Sequence, residues 1–327
     1  MNDAFVSVEG VSKVFAPALA LGDRVAARLG ADVETRAVQA VSDVSLAIRR
    51  GETLGLVGES GCGKSTLGRL VAGILDPDEG RVSVDGAPVR AGGRKTTTRV
   101  QTVFQDPFSS LDPRMRIGEA LAEGPVAHGL VERREAAPFA RARLSSVGLD
   151  PDMAGRFPHQ FSGGQRQRIA IARALAMEPD VLVCDEPVAS LDVSIQAQII
   201  NLLLELRASG DLTMLFISHD LGVVRHLCDR VAVMYLGRIV EIGPTASVYA
   251  DPKHPYTQAL IAAVPRLEAG RAVFAPIAGE LPSPLLPPQG CAFHPRCPIA
   301  QLPAPCRSER PALRSLGGRS AACHFAA

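Results

Sequence analysis

Short apolar runs alternate with segments of helical periodicity along most of the chain. Runs of strand length, rich in β-branched residues, occupy residues 53–57, 99–104, 181–184, 213–217, 230–234 and 238–242. Apolar residues at helical spacing occupy residues 65–74, 166–175 and 195–206. This alternation predicts an α/β fold in which helices pack against a largely parallel sheet.

Two other regions depart from this alternation. Antiparallel strands are predicted by three short β-branched segments of alternating polarity, at residues 5–8, 45–48 and 81–84. A turn is predicted just before the third segment, at residues 76–80. Residues 16–36 are interpreted as an insertion of weak helical character.

Residues 117–147 have a helical pattern without strand-like runs. Pro138 interrupts this pattern, and because proline cannot donate an N–H and clashes with the preceding turn, we predict two helices rather than one.

Composition limits the possible functions. Hydrophobic residues make up 46% of the 327 residues, which suits one large domain with a sizeable core and a smaller tail. The formal net charge of +1, from 35 basic and 34 acidic residues, argues against a nucleic-acid partner. The start, Met1-Asn2-Asp3, has no signal-peptide pattern, and no window approaches the ~18 apolar residues of a membrane span.

A glycine-rich segment between a predicted strand and a predicted helix fits the phosphate-binding pattern G-x-x-x-x-G-K-[ST]. Its glycines let backbone N–H groups point inward and form an anion cradle at the helix N-terminus. Lys64 would reach the β- and γ-phosphates, Ser65 would bind Mg²⁺, and Thr66 would contact the α-phosphate side. The alternative is a plain glycine-rich turn with an exposed lysine. The residues of the segment are Gly58, Glu59, Ser60, Gly61, Cys62, Gly63, Lys64, Ser65 and Thr66.

The strand at 181–184 ends in two acids, Asp185 and Glu186. The carboxyl edge of a parallel sheet is where α/β proteins bind ligands. Asp185 suits the Mg²⁺ shell, and Glu186 suits a base that polarises the attacking water. Alone, such a pair is more often a helix cap or a solvated turn; the phosphate-binding segment favours the catalytic interpretation.

Together these residues resemble the ATP-binding subunits of ABC transporters, over residues 6–264. Phe15 matches the aromatic that stacks on adenine in that family. Gln105 matches its glutamine loop, which implies a catalytic role and a place in the Mg²⁺ shell. Asp192 matches the loop that communicates across the dimer, and His219 matches the histidine that contacts the γ-phosphate. Taken singly, Phe15, Gln105 and His219 would be ordinary strand or strand-end residues.

The resemblance also covers the family signature, formed by Ser162, Gly163, Gly164 and Gln165. In that family the signature completes the ATP site of the opposing subunit. The implied fold is a P-loop NTPase of the ABC ATPase type, with a RecA-like core, an antiparallel β subdomain and a helical subdomain at about 108–165. We expect this domain to span residues 1–265.

Within the family, residues 103–114, 184–198 and 254–257 are closest to the importers of dipeptides, oligopeptides and nickel. The resemblance implies Mg-ATP hydrolysis that drives peptide import. It also implies a second ATPase subunit, identical or paralogous, two transmembrane permease subunits, an extracytoplasmic solute-binding protein, and a peripheral position on the cytoplasmic side of the membrane. The alternatives are an importer of nickel or another small solute, an exporter, and a non-transport ABC ATPase that acts on ribosomes or DNA.

The character of the chain changes after about residue 266. A proline-rich connector precedes a tail with Cys291, Cys297, Cys306 and Cys323. Clustered thiols in a reducing compartment point to metal more than to disulfides. Their spacing lacks the paired C-x₂-C of zinc ribbons, and similar importer tails carry a [4Fe–4S] cluster. Three interpretations of these cysteines are open: they hold an iron–sulfur cluster, they bind zinc together with His294 or His324, or they bind no metal. The other cysteines, Cys62, Cys184 and Cys228, are predicted to be inert apolar residues.

Overall fold

The computed structural model describes residues 4–16, 37–189, 191–208, 211–263, 277 and 279–327. Within these residues the strands are β1 (Val6–Phe15), β2 (Val38–Ile48), β3 (Thr53–Val57), β4 (Glu79–Val84), β5 (Ala87–Pro88), β6 (Arg90–Ala91), β7 (Arg94–Lys95), β8 (Val100–Val103), β9 (Val181–Asp185), β10 (Thr213–Ile217), β11 (Arg230–Tyr235), β12 (Arg238–Pro244), β13 (Arg314–Leu316) and β14 (Arg319–Ala321).

Helices connect these strands. They are α1 (Lys64–Val71), α2 (Pro107–Ser110), α3 (Ile117–Ala127), α4 (Ala136–Ser146), α5 (Gly163–Ala176), α6 (Val193–Ala208), α7 (Leu221–Leu227), α8 (Thr245–Ala250) and α9 (Pro255–Ala262).

A mixed sheet in the order β13-β14-β12-β11-β3-β10-β9-β8 forms the centre of the described chain. β3 pairs in parallel with β10 and β11, and β9 pairs in parallel with β8 and β10. Ile217 at the end of β10 is in register with both Leu56 and Asp185. The loops that follow β3, β8, β9 and β10 therefore leave the sheet at the same edge. The α/β prediction is confirmed.

Apolar cores cover both faces of this sheet. In β9, Leu182 and Cys184 belong to one buried cluster, and Val181 and Val183 belong to the other. Successive residues of a strand point to opposite faces. This is why the strand is apolar without interruption, as expected for a parallel sheet buried on both sides.

A second, antiparallel sheet has the order β2-β1-β4-β5. Its strands include the three predicted near the start of the chain, but β1 and β2 are longer than predicted, at ten and eleven residues. β1 pairs with both β2 and β4, and its residues Val6, Ser7 and Val8 are paired on both sides. The predicted insertion at 16–36 lies, apart from residue 16, outside the described residues.

The helical region contains two helices, as predicted, but the break is not caused by Pro138. Helix α3 ends at Ala127, and the chain turns at Gly129, whose φ of 71° is readily adopted only by glycine. Pro138 lies in the first turn of α4, where an N–H has no intrahelical partner and its loss costs little.

The chain after residue 279 packs onto the central sheet. Strand β14 extends the central sheet by pairing with β12. Arg319 forms an ion pair of 2.6 Å with Asp251 and donates to the backbone oxygen of Ser247 at 2.9 Å. The expected boundary between residues 265 and 266 falls among residues that the structure does not describe. In the described part of the chain, no helix is both long and apolar enough to cross a bilayer.

Candidate functional site

The phosphate-binding segment lies between β3 and α1. Gly63 precedes the helix with a φ of 105°, and a Cβ at this position would lie 2.0 Å from the backbone oxygen of Ala40, so only glycine fits. The Lys64 ammonium is buried and donates to the backbone oxygens of Gly58 at 2.8 Å and Glu59 at 3.0 Å. The segment thus encloses a positive charge at a helix N-terminus, an arrangement that suits an anion.

Ser65 and Asp185 meet across the sheet edge. The Ser65 hydroxyl donates to Asp185 Oδ1 at 2.8 Å, although the two residues are 120 positions apart. Burial raises the pKa of the Asp185 carboxyl, and the bond from Ser65 opposes that rise. A hydroxyl and a carboxylate are hard oxygen ligands of the kind that Mg²⁺ prefers, so the residues present fit a Mg²⁺ site.

Glu186 and His219 also meet, from the ends of β9 and β10. Glu186 Oε2 lies 3.1 Å from His219 Nδ1. The Glu186 backbone has a φ of 49° and donates its N–H to the oxygen of Ile217 at 3.0 Å. Such a left-handed backbone is uncommon in a residue other than glycine, and here it directly follows the last residue of β9. The Glu186 side chain is 16% exposed and that of His219 is 58% exposed, so the pair faces solvent through the histidine.

Gln105 and Phe15 flank these groups. Gln105 is exposed and follows β8, whose Val103 is in register with Cys184, so it emerges beside Asp185 at the same sheet edge. Phe15 ends β1 and pairs with Val38. Its ring is 42% exposed. Because Ala40, two residues beyond Val38, contacts the phosphate-binding segment, Phe15 lies on the adjoining sheet close to that segment.

The signature residues form the N-terminus of α5. Ser162 accepts a bond from the N–H of Gln165 at 3.3 Å, and the Gln165 side chain accepts one from the Ser162 N–H at 3.0 Å, which completes a capping box. Ser162 and Gly163 are exposed, whereas Gly164 is buried against α6. A Cβ on Gly164 would lie 2.4 Å from Ile195 Cγ2.

This close contact places the signature beside the start of α6, where Asp192 is exposed and its backbone oxygen accepts the N–H groups of Ile195 and Gln196. The Gln196 side chain bonds the backbone oxygens of Val188 and Leu191, both at 3.0 Å. The signature and the Asp192 loop are therefore packed as one unit.

The four cysteines of the tail are free thiols. The Cys291 N–H donates to the Cys306 oxygen at 2.9 Å. Burial raises the pKa of Cys291 to about 11, and the charges of Cys297, Cys306 and Cys323 act in the same direction. Four thiolates are the usual donor set of a [4Fe–4S] cluster, but among the described residues these side chains do not form a group arranged to hold a metal ion.

Within residues 279–327, no arrangement suited to zinc with a histidine is found. His294 Nδ1 lies 2.9 Å from the Cys291 backbone oxygen, and His324 Nε2 lies 3.0 Å from that of Glu309. Among the residues that the structure describes, no group of three or more His, Cys, Asp or Glu side chains is arranged to hold a metal ion.

Two residues near the phosphate-binding segment were not identified from the sequence. Arg296, in the cysteine-bearing tail, makes two hydrogen bonds to the Glu59 carboxylate, and the Tyr256 hydroxyl accepts the Glu59 N–H. Tyr256 belongs to the predicted importer-like run at 254–257, but nothing in that run indicates its partner. Arg296 lies between two cysteines and matches no motif.

Comparison with known proteins places these features in a family. A model for ABC transporters matches residues 41–189, and a model for the C-terminal region of oligopeptide/dipeptide transporters matches residues 240–303. The chain is 52% identical over 297 residues to a probable peptide ABC transporter ATP-binding protein of Sinorhizobium fredii, covering 89% of this chain and 83% of the relative. It is 53% identical over 293 residues to a putative peptide import ATP-binding protein of Brucella abortus, covering 88% and 87%.

Solved structures show the same fold. The structure of cbiO1 from Clostridium perfringens, part of the ABC transporter complex cbiONQ, superposes with a TM-score of 0.62 at 30% identity, covering 76% of this chain and 92% of that one. A dimeric ATP-binding cassette in a post-hydrolysis state with ADP and Pi gives 0.60 at 26% identity, covering 73% and 98%.

The fold and the site define an ABC-type ATPase. The chain belongs to the family of ABC transporter ATP-binding proteins that carry the oligopeptide/dipeptide transporter C-terminal region. The family predicted from the sequence is confirmed.

Proposed function

We propose that this chain is the ATP-hydrolysing subunit of an importer that takes up peptides through separate membrane subunits. The observation that carries the proposal is the match of residues 240–303 to the C-terminal region of oligopeptide/dipeptide transporters. Relatives more than 50% identical over most of the chain, which are named as peptide transport or import ATP-binding proteins, support it.

In this proposal the residues at the sheet edge hold and hydrolyse ATP. Backbone N–H groups of residues 58–66 and the Lys64 ammonium bind the phosphates, and Lys64 exchanges its two backbone oxygens for phosphate oxygens. Ser65, Asp185 and Gln105 would hold Mg²⁺, which neutralises developing negative charge on the phosphates. Phe15 stacks on the adenine.

Glu186 and His219 act on the γ-phosphate side. The Glu186 carboxylate accepts a hydrogen bond from the attacking water and orients it, as the water attacks phosphorus and the bond to the bridging oxygen breaks. The contact of 3.1 Å with His219 supports this assignment, because it holds the carboxylate in place and leaves the other imidazole nitrogen for a phosphate oxygen.

A second ATPase subunit, identical or paralogous, completes each site. Ser162, Gly163, Gly164 and Gln165 would bind the γ-phosphate held by the opposing subunit, with Asp192 beside them at the interface. The exposure of Ser162 and Gly163 supports this role, because the N–H groups and dipole at a helix start favour an anion.

The membrane subunits would dock beside the helical region. A groove of about 490 Å³ lies between the end of β8 and helices α3 and α5. Its lining includes the aromatic ring of Phe104, the acidic side chain of Glu123 and the basic side chain of Arg173. In this proposal a short cytoplasmic helix of a permease subunit would lie in the groove, and Gln105, which follows the lining residue Phe104, would sense that helix. The chain would then lie on the cytoplasmic side of the membrane, and an extracytoplasmic solute-binding protein would deliver the peptide.

The four tail cysteines are proposed to hold a [4Fe–4S] cluster, one thiolate per iron. The support for this proposal is the presence of four free thiols in the tail; in the described residues they do not form a group arranged to hold a metal ion. The test is the iron and sulfide content of the full chain purified without oxygen, with Cys306→Ser as the variant and Cys228→Ser as the matched control. Four irons per chain, lost only in Cys306→Ser, would support the cluster, and iron-free protein would refute it.

The import proposal is tested by purifying the chain from detergent-solubilised native membranes under anaerobic conditions. We expect two polytopic subunits and an ATPase partner. Reconstituted with the solute-binding protein, the complex should take up labelled peptides only with ATP. Recovery with ribosomes or DNA-repair factors and no membrane protein would overturn the transport role, and uptake of nickel but not peptide would overturn the cargo.

A further inference from the structure

The cysteine-bearing tail is linked directly to the phosphate-binding segment. The Arg296 guanidinium donates to Glu59 Oε2 at 2.7 Å and to Glu59 Oε1 at 3.0 Å, although the residues are 237 positions apart. The Arg296 side chain is 4% exposed and that of Glu59 is 25% exposed. Two parallel, charge-assisted bonds in a largely dry environment fix both the position and the orientation of the carboxylate.

The arginine is itself held in place. It ends a 3₁₀ turn, His294–Arg296, that directly follows the buried Phe293. The Phe293 ring packs against the rings of Tyr235 and Tyr256, with centroids 5.3 and 5.4 Å away. These aromatic contacts anchor the turn, so the guanidinium reaches Glu59 from a rigid support.

Glu59 is fixed through its backbone as well. Its N–H donates to the Tyr256 hydroxyl at 2.8 Å, and its backbone oxygen accepts a bond from Lys64 Nζ at 3.0 Å. Arg296 therefore holds the same residue that holds the phosphate-binding lysine. The contacts that Arg296 and Tyr256 make with Glu59 do not involve the Lys64 ammonium, so they do not depend on where that ammonium binds.

The tail is also attached to the rest of the chain at other points. Strand β14 pairs with β12, and Arg319 forms a separate ion pair with Asp251 at 2.6 Å. The Arg296–Glu59 pair differs from these contacts because it joins the tail to the phosphate-binding segment itself. We infer that Arg296 is a positioning residue for ATP binding: through Glu59, the C-terminal tail sets the conformation of the phosphate-binding segment.

The test compares full-length Arg296→Gln, Glu59→Gln and the double variant with wild type. Arg319→Gln is the matched control, because it breaks another ion pair between tail and core without touching the phosphate-binding segment. Arg296→Lys keeps the charge but loses the two-point contact. The measurements are the Kd for Mg-ATP by calorimetry, the KM and kcat of ATP hydrolysis, and the melting temperature.

We expect Arg296→Gln to raise the Kd and KM for Mg-ATP about tenfold, the effect of losing a charge-assisted hydrogen-bond pair. Arg296→Lys should lie between this variant and wild type. The double variant should be no worse than the poorer single variant, and Arg319→Gln should stay within about twofold of wild type.

Equal effects of Arg296→Gln and Arg319→Gln on the Kd would overturn the inference, as would a lower melting temperature with an unchanged Kd. If Arg296→Gln does not fold, Arg296→Lys and Glu59→Gln decide the question. Unchanged Kd values in both would then refute it.

Discussion

His219 Nδ1 lies 3.1 Å from Glu186 Oε2, and this contact joins the ends of two neighbouring parallel strands. If Glu186 orients the attacking water, Glu186→Gln should lower ATP turnover at least about 100-fold, because the amide cannot serve as a base. Nucleotide binding should persist, so that a dimer accumulates with Mg-ATP. Phosphate release and light scattering measure the two effects. Near-normal hydrolysis would refute the role of Glu186.

The histidine gives a second prediction from the same contact. His219→Ala should lower turnover while the Kd for Mg-ATP changes little, since Glu186 then loses the group that holds it. His226→Ala is the matched control, because His226 is an exposed histidine on the helix that follows. Equal turnover in the two variants, measured by phosphate release, would show that His219 has no special part in hydrolysis.

The bond between Ser65 and Asp185 predicts a magnesium-specific defect. Ser65→Ala removes one hard oxygen from the predicted Mg²⁺ shell, so the Mg²⁺ concentration for half-maximal hydrolysis should rise about tenfold. Ser65→Thr keeps the hydroxyl and should remain close to wild type. A magnesium titration of ATPase activity makes the comparison. A loss in Ser65→Ala that excess magnesium does not change at all would argue against metal binding by this hydroxyl.

The phosphate-binding segment and the acids of β9 could be predicted because each is a local pattern between a strand and a helix. Parallel pairing then brings their loops to one edge without further information. The Arg296–Glu59 pair could not be predicted in this way. Its two residues are 237 positions apart, and neither belongs to a sequence motif that indicates the other as its partner.

The helical region shows a different limit. Pro138 was a sound signal for two helices, yet the chain breaks at Gly129. The effect of a proline depends on where in a helix it lies, and within the first turn of α4 it is compatible with the helix. Whether Pro138 breaks a helix or lies harmlessly in its first turn depends on where that helix starts, and tertiary packing determines this position.

Gly164 predicts a steric defect at the unit formed by the signature and the Asp192 loop. A Cβ there would lie 2.4 Å from Ile195 Cγ2, so Gly164→Ala should cost about 1–3 kcal/mol and displace the start of α5. Turnover should fall while each subunit still binds Mg-ATP. The double variant Gly164→Ala/Ile195→Ala makes room for the methyl group and should recover activity. Absence of recovery, with both proteins folded by circular dichroism, would contradict a purely steric cause.

His254 predicts an acid-sensitive contribution to stability. Burial lowers the pKa of this histidine from 6.5 to about 4, and its Nδ1 accepts the N–H of Tyr256 at the start of α9. Below pH 6.5 the unfolded chain gains a proton that the folded chain does not, so stability falls as the pH drops from 6.5 towards 4. Between pH 7.5 and pH 5 this component amounts to about 2 kcal/mol.

The matched variant is His254→Asn, since asparagine can cap the helix but does not titrate. The Glu241 carboxylate, which accepts the backbone N–H of residue 254, is present in both proteins. Urea unfolding at pH 7.5 and pH 5 should therefore show a smaller acid loss in the variant by about 2 kcal/mol. An equal loss in both proteins would mean that His254 is protonated in the folded state at pH 5, and that burial of the neutral ring is not what makes the chain acid-sensitive.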